Sequence, residues 1–219
     1  MKLQYLGDSK DSFKWDYHDY LACELKYPWL NVVSMLTPDD GGHQGKTKAE
    51  WFPARTPILR FCRELQNNRT IERIKTLPRN TGGPYEVTLH KDGCRLTNRA
   101  EYFSGFDSTR EQLVFLDPDN GFEPEKSCDD KHVGYRDIAT LVGQLSGTSI
   151  VSVFHHFRRV SFPDDFARIR ARLGSTCYST AIYWHSLMFV AVGKSEQSME
   201  AVIAANKRYA RDRPVKVIT

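Results

Sequence analysis

The stretch "LVFLDPDNGFEP", residues 113–124, decides how this chain is read. Four apolar residues, Leu113 to Leu116, form a run of strand length, and Asp-Pro-Asp-Asn-Gly follows at once. Pro118 removes a ladder donor and Gly121 permits positive φ, so the strand is buried and its carboxyl end opens into a turn. The best apolar run of the chain therefore delivers an acidic tip.

The same pattern recurs on both sides. Upstream, "KLQYLGD" reads as a short strand ending at Gly7-Asp8, followed by a helix from Asp11 with Phe13, Tyr17, Tyr20 and Leu21 near the helical period. "LNVVSML", residues 30–36, reads as a second strand and ends in "TPDDGGHQGKT". Residues 37–56 read as an irregular loop of a length found in functional lids or in disordered segments. A helix then starts at Thr56-Pro57, with Thr56 as its cap and Ile58, Phe61, Cys62 and Leu65 on one face. "YEVTLHKDGCRLTNRAEYF" alternates around Asp92-Gly93, a hairpin signal, or is a strand leading into a helix near "NRAEYF"; residues 57–105 read as an inserted helix and hairpin region.

Downstream, "YRDIATLVGQL" carries Ile138, Leu141, Val142 and Leu145 on one stripe, and "TSIVSVF" is a buried strand ending in "HHFRR". "PDDFARIRARLG" reads as a helix stopped by Gly174. "STAIYWH" and "LMFVAVG" are close enough to pair antiparallel, and "SMEAVIAANKRYARD" closes the chain as a helix. Strands alternating with helices imply one α/β domain over residues 1–219. Its fold is Rossmann-like, with a mainly parallel sheet, helices on both faces and an antiparallel C-terminal strand pair.

Composition narrows the class. At 219 residues the chain can bury one substantial core. No apolar run approaches the roughly 20 residues of a membrane span, so no membrane partner is expected. Five cysteines are odd in number and scattered, which points to reduced thiols and a cytoplasmic protein. The net charge of +4 favours anionic partners, here nucleic acid or a nucleotide.

A parallel sheet gathers its strand tips at one edge, where ligands bind in such folds. The tips carry Asp8 and Asp11; Asp39 and Asp40; Asp117, Asp119 and Asn120; and His155, His156, Arg158 and Arg159. Asp117, Asp119, Asn120, His155 and His156 are the candidate catalytic residues. Adjacent histidines on a strand face opposite sides, so one of the two is structural and the other is a general base. Arg158 and Arg159 suit a phosphate or carboxylate. Converging carboxylates at Asp8, Asp117 and Asp119 also suit Mg²⁺ or Mn²⁺ in a phosphodiester hydrolase. "GGHQGKT" is not a P-loop, because its glycine spacing is too short.

"FLDPDNG", with the following helix, buried strand and reversed strand pair, resembles the layout of Rossmann-like methyltransferases, whose fourth strand carries an Asp/Asn-Pro-Pro-aromatic tip. It is also similar to the Asp-Pro-aromatic-Gly tip of the three-Cys-motif partner proteins, a methyltransferase-like bacterial family. Asp117 and Pro118 match; Asp119 and Asn120 replace the second proline and the aromatic. The resemblance covers residues 100–200 and implies methyl transfer from S-adenosylmethionine, with Asp117 orienting the target and Asp8, Asp11, Asp39 and Asp40 on the cofactor side. It also implies a glycine-rich loop after the first strand, where "GDSKD" offers a single glycine. The Asp-x-Asp of the same tip is similar to that of Toprim nucleases and primases, and this implies the metal reading. A third reading is a binding module that grips phosphates through Arg158, Arg159 and the C-terminal helix.

Overall fold

The computed structural model of the chain describes all residues except 40–44, 46, 91, 93 and 127. In chain order the elements are α1 (Ser9–Glu24), β1 (Trp29–Val33), α2 (Thr56–Asn67), α3 (Leu77–Thr81), β2 (Glu86–His90), α4 (Arg99–Tyr102), β3 (Gln112–Leu116), β4 (Gly121–Phe122), β5 (His132–Val133), α5 (Tyr135–Gln144), β6 (Ile150–His156), α6 (Phe162–Leu173), β7 (Tyr178–Trp184), β8 (Leu187–Gly193), α7 (Glu196–Asp212) and β9 (Lys216–Ile218). Short 3₁₀ turns lie at Leu3–Tyr5, Ala49–Trp51 and Ile71–Thr76.

Among the described residues, seven strands form one sheet in the order β2-β1-β3-β6-β8-β7-β9. β2, β1, β3 and β6 run parallel, and β8 is antiparallel to both β6 and β7. The fold is α/β and Rossmann-like, as the alternation of strands and helices predicts. The β7–β8 hairpin folds back so that its second strand, not its first, pairs with β6. β9 then pairs antiparallel with β7, a strand the sequence reading does not anticipate.

Alternation along the strands divides the core. Leu30, Val32, Leu113, Phe115, Phe154 and Phe189 pack beneath α1, α2 and α7. Val33, Val114, Leu116, Val151, Val153 and Val190 face α5 and α6. Sixteen-residue α1 is buried nearly all round, polar residues included, because it lies in the middle of its face. His18 shows how that burial is tolerated: Nδ1 reaches Lys14 O at 2.7 Å and Nε2 reaches Ser152 Oγ at 2.8 Å. Burial depresses its pKa to about 3, so the ring is neutral.

Three expectations are corrected. Residues 2–8 are a 3₁₀ turn and a bend rather than a strand, because Gly7 adopts φ +84 and its N–H donates to the Asp11 carboxylate at 2.8 Å. The first strand is therefore β1, and the segment after it carries Gly41, Gly42 and Gly45. Gly41 and Gly42 lie outside the described residues. Gly93 of the expected hairpin turn lies outside the described residues; β2 pairs parallel with β1 at the sheet edge and α4 follows it, the strand-then-helix alternative. The α2 cap is Arg55, one residue before Thr56.

Candidate functional site at the carboxyl edge of the sheet

Val33, His90, Leu116, His156 and Trp184 end their strands at one edge. The N-terminus of α1 comes to the same edge, because α1 crosses back over the sheet before β1. Between β1 and β3 the chain reverses its direction of travel across the sheet, the switch point at which such folds bind ligands. Asp117 stands there, 2% exposed.

Asp117 is held by a lysine that sequence reasoning overlooks. Lys14 Nζ lies 2.8 Å from Asp117 Oδ2 and 2.8 Å from Asp11 Oδ1, with all three side chains buried. Burial lowers the Lys14 pKa, but the two carboxylates outweigh it and hold the ammonium well above its ordinary range. Burial keeps Asp117 above the usual carboxylate value, against the pull of Lys14. The spacing Asp11–Lys14 places both on one helix face and is legible as an i,i+3 pair. Its convergence on Asp117 is not.

Asp119 accepts from Thr37 Oγ1 at 2.8 Å and lies 3.4 Å from the Met1 amino group. Asn120 is exposed; its carbonyl accepts from His156 N at 3.3 Å and its N–H donates to Lys131 O at 3.0 Å. Asp8 caps α1, accepting from Lys10 N at 2.9 Å and Asp11 N at 3.1 Å. Burial and the neighbouring Asp11 raise its carboxyl to about 6. Each of Asp8, Asp117 and Asp119 is thus committed to a different partner. Among the described residues no group of three His, Cys, Asp or Glu side chains is arranged to hold a metal ion, so Mg²⁺ or Mn²⁺ has no fitting ligand set here.

The two histidines divide as strand alternation requires. His155 is fully buried on the α5–α6 side, where Nδ1 accepts from Phe122 N at 3.2 Å and Nε2 lies 2.8 Å from Asp165 Oδ2. Burial lowers its pKa in spite of Asp165, so Nε2 carries the single proton and donates it. Gly121 packs on this ring: φ is +101, and a Cβ there would lie 2.3 Å from His155 Nδ1. His155 therefore fastens the end of the "DPDNG" turn to β6. His156 faces the α1 side, half-buried. Its Nδ1 bonds Phe157 O at 3.2 Å and its Nε2 faces Lys10 Nζ at 3.2 Å. Nε2 is the acceptor, and burial followed by the charge of Lys10 lowers the pKa.

Arg158 turns inward, with Nε 3.3 Å from His155 Nε2 and 3.8 Å from Asp165. Arg159 is exposed, at φ +65. Asp39 is exposed and accepts from Gln4 N at 3.4 Å; Asp40 lies outside the described residues.

Two cavities open at this edge. One, of about 430 Å³, sits beyond β1 and β2 and is lined by Leu36, Thr37, Pro38, Asp39, Cys94 and Arg95 among others. The other, of about 1130 Å³, lies beyond β6 and the β7–β8 hairpin and includes Asp8, Lys10, Lys48, Trp51, His156 and Trp184. The tip of β3, with Asp117 and Asp119, lies between β1 and β6 in the sheet.

Fold and site together define a Rossmann-like α/β chain with polar groups converging at the carboxyl edge and a buried lysine–carboxylate cluster at the switch point. No protein-family model matches the chain. No curated protein matches it. Among solved structures it is similar to a DUF574 family protein from Streptomyces avermitilis, with 9% identity over 85% of this chain and 83% of that one and a TM-score of 0.41. It is also similar to cofactor-bound Rv0187 from MTB, with 12% identity over 84% of this chain and 81% of that one and a TM-score of 0.38. No helix among the described residues is long and apolar enough to cross a membrane.

Proposed function

We propose that the chain transfers a methyl group from S-adenosylmethionine to a nucleic acid or nucleotide. The observation that carries this reading is the strand order, in which reversed β8 lies between β6 and β7 while Asp117-Pro118 ends the strand at the switch point. An Asp-Pro strand end followed by a helix, a buried strand and a reversed strand pair is the layout the "FLDPDNG" resemblance implies. The net charge of +4 supports an anionic acceptor.

The smaller cavity is the better fit for the cofactor. It lies beyond β1, beside the switch point, and Asp39 at its rim offers a carboxylate to hydroxyl groups. Ser34 Oγ, buried at the tip of β1, has no hydrogen-bond partner among the described residues. S-adenosylmethionine supplies the electrophilic methyl when bound. Lys14 neutralises Asp117 and so fixes the course of the 117–120 turn between the two cavities. His156 Nε2 takes the acceptor's proton once Lys10 turns from it to the acceptor, and its depressed pKa keeps it unprotonated at neutral pH. Arg159, exposed beside β6, meets a phosphate of the acceptor more readily than Arg158, whose guanidinium is engaged inward.

Isothermal titration with S-adenosylmethionine and S-adenosylhomocysteine tests the reading. One site per chain is expected, and ligand at 100 times its Kd raises stability by about 2.7 kcal/mol. No heat and no thermal shift with either ligand would overturn it.

A further inference from the structure

The larger cavity has a chemistry of its own, which the reading above leaves unassigned. Trp51 is 64% exposed on its wall, an unusual position for the largest apolar side chain. Trp184 is held rigidly, edge-on to Phe52 at 5.0 Å and to Phe13 at 6.2 Å. The neighbouring His185 sits at φ +49 in the two-residue turn that joins β7 to β8, the backbone such a hairpin calls for, and the turn brings its ring to the cavity wall. Lys10 and Lys48 bring positive charge to the same space. Among the described lining residues the one carboxylate, Asp8, is turned into the α1 cap, and burial and Asp11 raise it to about 6.

Aromatic faces with ammonium groups beside them, around a half-open cleft, recognise a planar ring that carries an anion. We propose that this cavity is the acceptor site and takes one nucleotide unit, free or as part of a single strand. Its base lies against Trp51 and Trp184, and its phosphate meets Lys10 and Lys48. The phosphate draws Lys10 Nζ from His156 Nε2, so occupancy itself exposes the base. This assignment rests on the methyl-transfer reading for the name acceptor, and not for the binding.

Titration calorimetry with AMP, GMP, CMP and UMP, with the matching nucleosides, and with a ten-residue single-stranded oligonucleotide tests it, each with and without S-adenosylhomocysteine. At least one mononucleotide is expected to bind, more tightly than its nucleoside, with S-adenosylhomocysteine bound at the same time. Stronger binding by the oligonucleotide identifies a strand as the natural source, and equal binding a free nucleotide. Trp51→Ala is expected to weaken nucleotide binding roughly tenfold, in line with the loss of one stacking partner. Lys48→Ala is expected to flatten its salt dependence. Both residues are exposed, so neither variant threatens the fold. If S-adenosylhomocysteine binds but no nucleotide or oligonucleotide does, this inference fails and methyl transfer stands. If nucleotides bind as described and S-adenosylhomocysteine does not, the site stands and methyl transfer fails. Loss of S-adenosylhomocysteine binding in Trp51→Ala, with nucleotide binding intact, would assign the cavity to the cofactor and overturn the inference.

Discussion

Replacing Lys14 by methionine removes one ammonium and keeps the apolar stem, so the packing of α1 is retained. What changes is electrostatic: Asp11 and Asp117 remain buried, 2% exposed or less, without the charge that lies 2.8 Å from each. Removing one member of a buried ion pair costs about 3–5 kcal/mol, because the partner is left uncompensated. In a domain of this size each kcal/mol moves Tm by about 2–4 °C, so Lys14→Met should lower Tm by about 6–20 °C at pH 7.5. The pH dependence gives a second, independent reading. Asp117 already titrates above its unfolded value, so its contribution favours the native state below the unfolded pKa and is lost as pH rises. Without Lys14 that dependence deepens, and the variant should recover much of its deficit against wild type as the pH falls from 7.5 towards 5. Adding Asp117→Asn to Lys14→Met should restore part of the loss at pH 7.5. Calorimetric melts of the three proteins at pH 5 and 7.5 decide the matter. A Lys14→Met shift below about 2 °C, or a deficit independent of pH, would refute the account of the cluster.

Asp8→Asn keeps an equally good α1 cap while removing a carboxyl whose native pKa is raised to about 6. A raised carboxyl pKa contributes stability below pH 3.8 that is lost as pH rises through 6. The variant should therefore exceed wild type by up to about 3 kcal/mol at pH 7.5 and match it near pH 4, by urea denaturation at both pH values. Equal stability at pH 7.5 would show that the carboxylate is better solvated than its 3% exposure implies. Gly121→Ala combines positive φ with a Cβ 2.3 Å from His155, whereas Gly82→Ala, at φ +78, meets nothing within 4 Å. The first should cost about 3 kcal/mol or more and the second about 1 kcal/mol, and similar urea midpoints for both would argue against the role of His155 as fastener. For a methyl acceptor that must lose a proton, His156→Gln should lower kcat by 10²–10⁴-fold and abolish an acid limb centred below pH 6.5 in wild type. A retained acid limb would place the base elsewhere.

Local pattern carried much of the architecture. The apolar run at 113–116 bounded by Asp-Pro, the 3.6-residue stripes of α5 and α6, and the pair at 179–193 are each settled by neighbours in sequence, so period and turn chemistry sufficed. The gathering of Asp117, His155 and His156 at one edge follows from parallel strands alone, and so does the division of the two histidines between opposite faces. Residues 2–8 defeated the same logic. Alternation there is short, and the capping of α1 by Asp8 with the Gly7–Asp11 bond draws the backbone into a turn that no strand partner opposes.

Other features depend on contacts far apart in the chain. Lys14 meets Asp117 across 103 residues, and Trp51 joins Trp184 and Lys10 at one cavity only because the β7–β8 hairpin folds back beside β6. The sequence by itself determined most of the strands and helices, residues 2–8 and β9 excepted, and which end of the parallel strands bears polar groups. Whether Asp117 is free to meet a cation or already holds a lysine was decided by tertiary structure. Burial and charge pairing are properties of space, and a one-dimensional pattern has no term for a partner that only folding brings within 3 Å.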